Sequence, residues 1–230
     1  MRNRWRHAAV ACVLFGGCGG DSEAEDVAIT VLVTEVTSDE PDPDTEVCVV
    51  APTGYGCGTT GADGRVTLNV PASSDVVFRS TRSDRMTGLF AYTSSDAPEE
   101  IEVDTADPTL AQVLLLGAGV EAQEGMGQVL LLARGPTGSG TEAAGMTFSL
   151  GVGDGPFYFG GSQPMPELTE TTSDGAVAFA NVPPGEHTIT AAGAASCVTR
   201  VGFDRGVDRT GFRVEAGALT FVRLVDCAPR

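Results

Sequence analysis

From residue 27 onward, apolar and polar side chains alternate in short runs with a period of two, the signature of strands with one buried face. The run Val27-Ala-Ile-Thr-Val-Leu-Val-Thr-Glu-Val36 predicts the first strand, and similar runs predict others over 46–51, 65–70, 76–81, 87–93 and 100–103. The separators are turn formers: Gly54-Tyr-Gly56, Ala62-Asp-Gly64 and Ser73-Ser-Asp75. Pro41 and Pro43 keep 38–45 out of any helix or inner strand. The rhythm resumes later, predicting strands over 128–133, 146–150, 156–159, 176–180, 187–191, 197–203, 211–215 and 218–225. Short strands with regular turn signals predict an antiparallel sandwich.

Between the two series the pattern breaks. Asp107-Pro108 offers an N-cap followed by proline at the first helical position, and Leu110 to Leu116 is followed by Gly117 and Gly119. A buried strand competes, because residues 113–116 are apolar on every side. The caps favour a short helix.

Two segments repeat across that break. Thr60-Gly-Ala-Asp-Gly-Arg-Val-Thr-Leu-Asn-Val-Pro71 mirrors Thr172-Ser-Asp-Gly-Ala-Val-Ala-Phe-Ala-Asn-Val-Pro183. Each predicts a tight turn at Asp-Gly, then a strand sending Val66, Leu68 and Val70, or Val177 and Phe179, inward. Asn-Val-Pro ends that strand. The chain therefore reads as two copies of one β module.

The stretch Thr171-Thr-Ser-Asp-Gly-Ala-Val-Ala-Phe-Ala-Asn-Val-Pro-Pro-Gly-Glu-His-Thr-Ile-Thr190 resembles the carboxypeptidase regulatory-like family. The first copy fits more loosely, with Ala72-Ser73 where the second has Pro184-Gly185. The resemblance implies a mostly β fold of two tandem transthyretin-like Greek-key β-sandwich domains joined by a short helix. The expected division is module 1 over 27–105, a linker with the helix over 106–126, and module 2 over 127–230. It also implies non-catalytic modules of exported proteins, since the family's peptidase is a separate zinc domain.

Arg2, Arg4 and Arg6 precede the apolar run 8–15, and Gly16-Gly17-Cys18 follows, an export-signal pattern. The cysteine after small residues resembles the lipobox of bacterial lipoproteins, although Phe15 stands where leucine is usual. Cleavage at the rival Cys12 would leave almost no apolar segment. The resemblance implies a signal peptide over 1–17, lipidation of Cys18, an acidic tether over 18–26, and firm attachment by several acyl chains. The run 8–15 falls short of the about 20 residues that a spanning helix needs. Gly19 resembles outer-membrane sorting, so the expected address is the bacterial outer membrane, on its periplasmic or cell-surface side.

Loss of three arginines with the signal takes the formal charge from −17 to −20, and the chain contains no lysine. Such a surface repels phosphate backbones and anionic lipid, which argues against nucleic acid and assigns membrane attachment to the anchor. Cys48, Cys57, Cys197 and Cys227 remain, an even number in an exported chain, which reads as disulfides. Three pairings are open; the sequence-local one, Cys48 with Cys57 and Cys197 with Cys227, is preferred. Zinc is disfavoured because no C-x-x-C spacing occurs and one histidine survives processing.

Catalytic chemistry finds little support. His187 stands alone at the start of a predicted strand, and no G-x-S-x-G elbow accompanies it. Gly151-Val-Gly-Asp-Gly155 reads as a hairpin turn rather than a phosphate loop. The acidic runs 21–26 and 39–44 lack the order of a calcium loop and read as tether and loop. Pro156-Phe-Tyr-Phe159 reads as core and hairpin edge, with a carbohydrate- or peptide-binding rim centred on Tyr158 as the alternative. The expectation is a non-enzymatic structural or binding module of the envelope, with no cofactor or metal and an envelope protein or carbohydrate as partner. The alternatives are a carbohydrate-binding accessory module and, behind it, a hydrolase using carboxylates.

Overall fold

The structure, a computed structural model, describes residues 25–135, 142–192, 194–199 and 211–229, with backbone alone for 194–199, 225, 226, 228 and 229. The first half builds β1 (Asp26–Glu35), β2 (Glu46–Ala51), β3 (Cys57–Thr59), β4 (Arg65–Pro71), β5 (Asp75–Thr81), β6 (Thr87–Thr93) and β7 (Glu99–Thr105). Helix α1 (Pro108–Gly117) follows. The second half builds β8 (Gly127–Ala133), β9 (Thr147–Ser149), β10 (Asp154–Gly160), β11 (Gln163–Pro164), β12 (Ala176–Val182) and β13 (Gly185–Thr188). Then come β14 (Thr190–Ala192), β15 (Ala194–Thr199), β16 (Gly211–Val214) and β17 (Ala218–Pro229). The protein is mostly β, as its alternation predicts.

The repeated segments occupy equivalent places. β4 pairs antiparallel with β1, and β12 pairs antiparallel with β8. Parallel neighbours complete each trio, β7 beside β1 and β17 beside β8. Gly64 and Gly175 take φ of 73° and 62° in the turns, and their carbonyls accept from Val33 N at 2.8 Å and Ala133 N at 2.9 Å. A side chain there would collide with the carbonyl of Val33 or Ala133, at 2.6 Å and 2.3 Å, so glycine is required twice over. Thr60 and Thr171 match as well. Each donates its hydroxyl to a carbonyl, Asp42 at 2.8 Å and Ala143 at 2.7 Å, and each accepts an amide, Thr45 N at 2.9 Å and Met146 N at 3.0 Å.

Two cores result. One packs Ile29, Val31, Val33, Val47, Val70 and Phe78 between β4-β1-β7 and β2-β5-β6. The other packs Leu131, Phe148, Val177, Phe179, Ile189 and Phe212 beneath β12-β8-β17. The halves are joined through backbone as well as through α1. β17 lies parallel to β6 on one side and to β8 on the other, fusing strands of both halves into one sheet of order β11-β10-β12-β8-β17-β6-β5-β2-β3, with β15 also on β17. Alternate side chains of β17 enter different cores: Leu219 and Phe221 the first, Val222 and Leu224 the second. Opposite faces of one strand thus serve two hydrophobic interiors.

Several expectations change in detail. The pairings of β1 with β7 and of β17 with β6 and β8 are parallel, where an antiparallel arrangement is predicted. The predicted strand 187–191 breaks into β13 and β14, because Thr188 pairs toward β16 while Thr190 pairs toward β9 and Ile189 is buried between them. The short strands β3 and β11 are additional.

Candidate functional site

An open apolar groove lies where the two halves meet. The face of β12-β8-β17 turned away from its own core carries Leu130, Leu132, Ala178 and Leu219. The first core covers Leu219 and Phe221, and Leu130 packs partly against it, but it does not take in Leu132 or Ala178. Beyond the edge of β7, α1 spans the remainder as a wall, leaving a groove of about 700 Å³ between helix and sheet. Phe157 and Pro164 also line it.

Local sequence fixes the helix. The Asp107 carboxylate accepts from Thr109 N at 2.6 Å and Leu110 N at 3.4 Å, and Pro108 occupies the first turn. These donors, the Thr109 backbone first, hold the Asp107 carboxyl below its ordinary range, with the Arg85 charge adding to the effect. At the other end Gly119, with φ of 75°, lets Val120 N reach Leu115 O at 2.9 Å. The helix is apolar nearly all round, yet none of its residues is buried, and Val113 and Leu116 stay 58% and 66% exposed. An apolar helix normally has its faces covered by protein.

Ionic contacts frame the junction. Arg223 of β17 reaches Asp104 of β7 at 3.2 Å on the groove side. Arg79 of β5 grips both oxygens of Glu215 at 2.7 and 2.5 Å on the opposite side. Asn181, the asparagine of the second Asn-Val-Pro, takes φ of 54° and ties the segment after α1 to the sheet. It donates to Glu121 O at 3.0 Å and Asp154 Oδ2 at 2.7 Å, and accepts from Gln123 N at 2.8 Å. The repeated Asn-Val-Pro marks this residue in the sequence, but not its contact with the linker.

A second cavity, about 450 Å³ and polar, sits by the helix N-terminus and is lined by Glu35, Ser38, Asp42, Arg85 and Asp107 among others. Asp42 is 2% exposed. Its carboxylate accepts from Arg82 Nη1, from Arg85 Nε at 3.2 Å and from Thr105 Oγ1 at 2.5 Å. Burial pushes the Glu35 carboxyl up, but hydrogen bonds from Thr37 and Ser38 outweigh it and leave the group below its ordinary range. These acids are engaged by donors of the fold. The acidic loop 39–44 therefore directs its buried carboxylate at arginines.

The residues singled out by sequence fall as follows. Cys48 and Cys57 face each other across β2 and β3 and are disulfide-bonded. Glu46 approaches the same sulfurs within 4.8 Å, but both are engaged with each other rather than free as metal ligands. Cys227 is buried and disulfide-bonded. The side chain of Cys197 and all of Cys18 lie outside the described residues, as do 21–24 of the acidic tether. His187 Nε2 lies 2.7 Å from Pro183 O, and its ring faces Phe212 at 6.3 Å. Gly151, Gly153 and Gly155 all take positive φ and lead into β10, so this run is a turn into a strand.

Tyr158 does not form a rim. It is 3% exposed within the second core, where its hydroxyl accepts from Phe148 N at 2.9 Å. The two-residue period of β10 turns it inward and leaves its neighbour Phe157 half-buried in the groove.

No helix among the described residues is long and apolar enough to cross a membrane. The chain matches no family model and no curated protein. Among solved structures it overlaps the TIE protein of Bacillus anthracis, at 13% identity over 86% of this chain and 34% of the other, with a TM-score of 0.31. The present chain thus spans about a third of that protein. A minor pilin of Streptococcus agalactiae overlaps at 13% identity over 88% and 97% of the two chains, TM-score 0.28. The major pilin subunit of Bacillus cereus overlaps at 9% identity over 88% and 100%, TM-score 0.29. Superpositions this loose carry neither fold nor function, which rest on the chain's own residues.

Proposed function

We propose that this chain is a lipid-anchored, non-catalytic binding or structural module of the bacterial envelope, built from two copies of a carboxypeptidase regulatory-like unit. The observation that carries the reading is the duplicated frame itself. Thr60 with Gly64 and Thr171 with Gly175 make the same contacts in each half, and β17 locks the copies into one body. Three of its acidic side chains serve that frame: Asp42 neutralises arginines, and Glu215 and Asp104 clamp the halves together. The export signal and the Cys18 lipobox supply the anchor, and the acidic tether supplies reach from the membrane.

Metabolic labelling with a clickable fatty acid tests the anchor. Label is expected on the wild-type chain and absent from Cys18→Ala, and equal labelling of both would end the lipoprotein reading. The catalytic alternative meets its own test in esterase, glycosidase and peptidase assays of the purified chain, with and without divalent metal, where no turnover is expected. Burial of Tyr158 takes that ring out of a carbohydrate-binding rim, and Phe157 is the member of the aromatic stretch left facing the groove.

A further inference from the structure

We infer that the groove between α1 and the β12-β8-β17 face docks a short polypeptide segment that is apolar along one face and flanked by lysine or arginine. The inference rests on reading the chain as a binding module, and its preference for a polypeptide over the anchoring bilayer rests also on the tether. Three observations support it. The floor residues Leu130, Leu132 and Ala178 are only half-buried, and the helix wall facing them has no fully buried residue. The apolar lining continues along the helix to Val113, which stays largely exposed, so a small ligand in one part of the 700 Å³ would leave the rest of that wall in water. An occupant that covers both floor and helix is extended or helical, as in other groove-docked segments.

Charge selects the occupant's flanks. Both arginines of the groove are already matched, Arg223 by Asp104 at 3.2 Å and Arg134 by Glu142 at 3.5 Å. Asp39, Glu102 and Asp174 of the same lining have no cationic partner among the described residues. The rim is therefore net anionic on a chain that is strongly anionic overall, which attracts cationic segments and repels acidic ones.

Position argues for a partner over the anchoring bilayer. β1 starts at Asp26, just after the tether, and runs parallel to β7, whose last residue Thr105 precedes α1. Ten residues of strand separate the two ends, about 33 Å at 3.3 Å per residue. The groove thus opens at the end of module 1 remote from the tether.

The test uses the full chain carrying Cys18→Ala, titrated against fluorescent peptides of equal length. One alternates Leu and Lys, one Leu and Glu, and one Ser and Lys. Phosphatidylcholine vesicles provide a bilayer arm, and sedimentation reports self-association. The Leu/Lys peptide is expected to bind at least about tenfold more tightly than either other peptide. Val113→Glu, on the exposed part of the helix wall, and Ala178→Arg, in the floor, should each weaken it about tenfold. Val152→Glu, on an exposed apolar residue outside the groove, should not. Val113→Glu, at an exposed position, keeps the test decisive where Ala178→Arg perturbs folding. Equal binding of the Ser/Lys peptide, insensitivity to Val113→Glu, equal affinity for vesicles, or a dimer abolished by Val113→Glu would each overturn the inference.

Discussion

Phe90 of β6 and Phe221 of β17 stack face to face, with ring centroids 4.8 Å apart and planes 6° from parallel. The two residues come from different halves of the chain, yet both belong to the first core. Removing the later ring should therefore damage the earlier module. Phe221→Ala is expected to cost about 3 to 5 kcal/mol, the range for emptying a buried aromatic site. Amide exchange in β5 and β6 should rise together with that in β17. Unchanged protection of β6 would show that the halves are energetically separate.

Thr60 and Thr171 offer a test of the duplication. Each satisfies one buried carbonyl and one buried amide. Thr60→Val and Thr171→Val keep the shape but orphan both groups, so each should cost about 2 kcal/mol in urea unfolding. Two similar losses are expected, one for each copy.

Asp42 predicts a larger local effect. Asp42→Ala leaves Arg82 and Arg85 facing each other without their shared carboxylate. A loss of about 2 to 3 kcal/mol is expected, below the range for fully buried pairs because both guanidinium groups remain partly exposed. Asp42→Asn should recover part of it by restoring the hydrogen bond from Thr105 Oγ1.

Tyr158 sets an alkaline limit. Burial raises its phenol above the ordinary value, outweighing the Phe148 amide that stabilises the phenolate. The unfolded chain then loses this proton first as pH rises. Stability from this group is full below about pH 10 and declines above it, toward the raised folded value. Tyr158→Phe should flatten that decline, and the phenolate absorbance of one tyrosine should appear at higher pH in the folded than in the unfolded chain.

How much of this was readable from sequence depends on the range of the interaction. The helix was legible because its signals are local: Asp107 caps the two amides that follow it, and Pro108 needs no donor. The matching turns at Gly64 and Gly175 were legible because Asp-Gly requires little beyond its neighbours. The place of β17 was not. Alternation along residues 218–225 says that two faces differ, but both faces of this strand are apolar, and nothing local names β6 and β8 as neighbours. The groove was hidden for the same reason, since its floor and wall meet only after that long-range pairing. Leu130 and Leu132 read as ordinary strand residues, and Tyr158 and Phe157 exchange roles with a one-residue change of phase.

The position of β17 has a kinetic consequence. It follows the other described strands along the chain, yet it is hydrogen-bonded in the middle of the largest sheet. While the chain is still emerging, β6 and β8 present bare edges, and the gap left for Phe221 is open to solvent. Such edges invite pairing with whatever strand arrives first. Late arrival of the rightful one makes the half-made protein a natural client for holding chaperones until β17 is free to slot in.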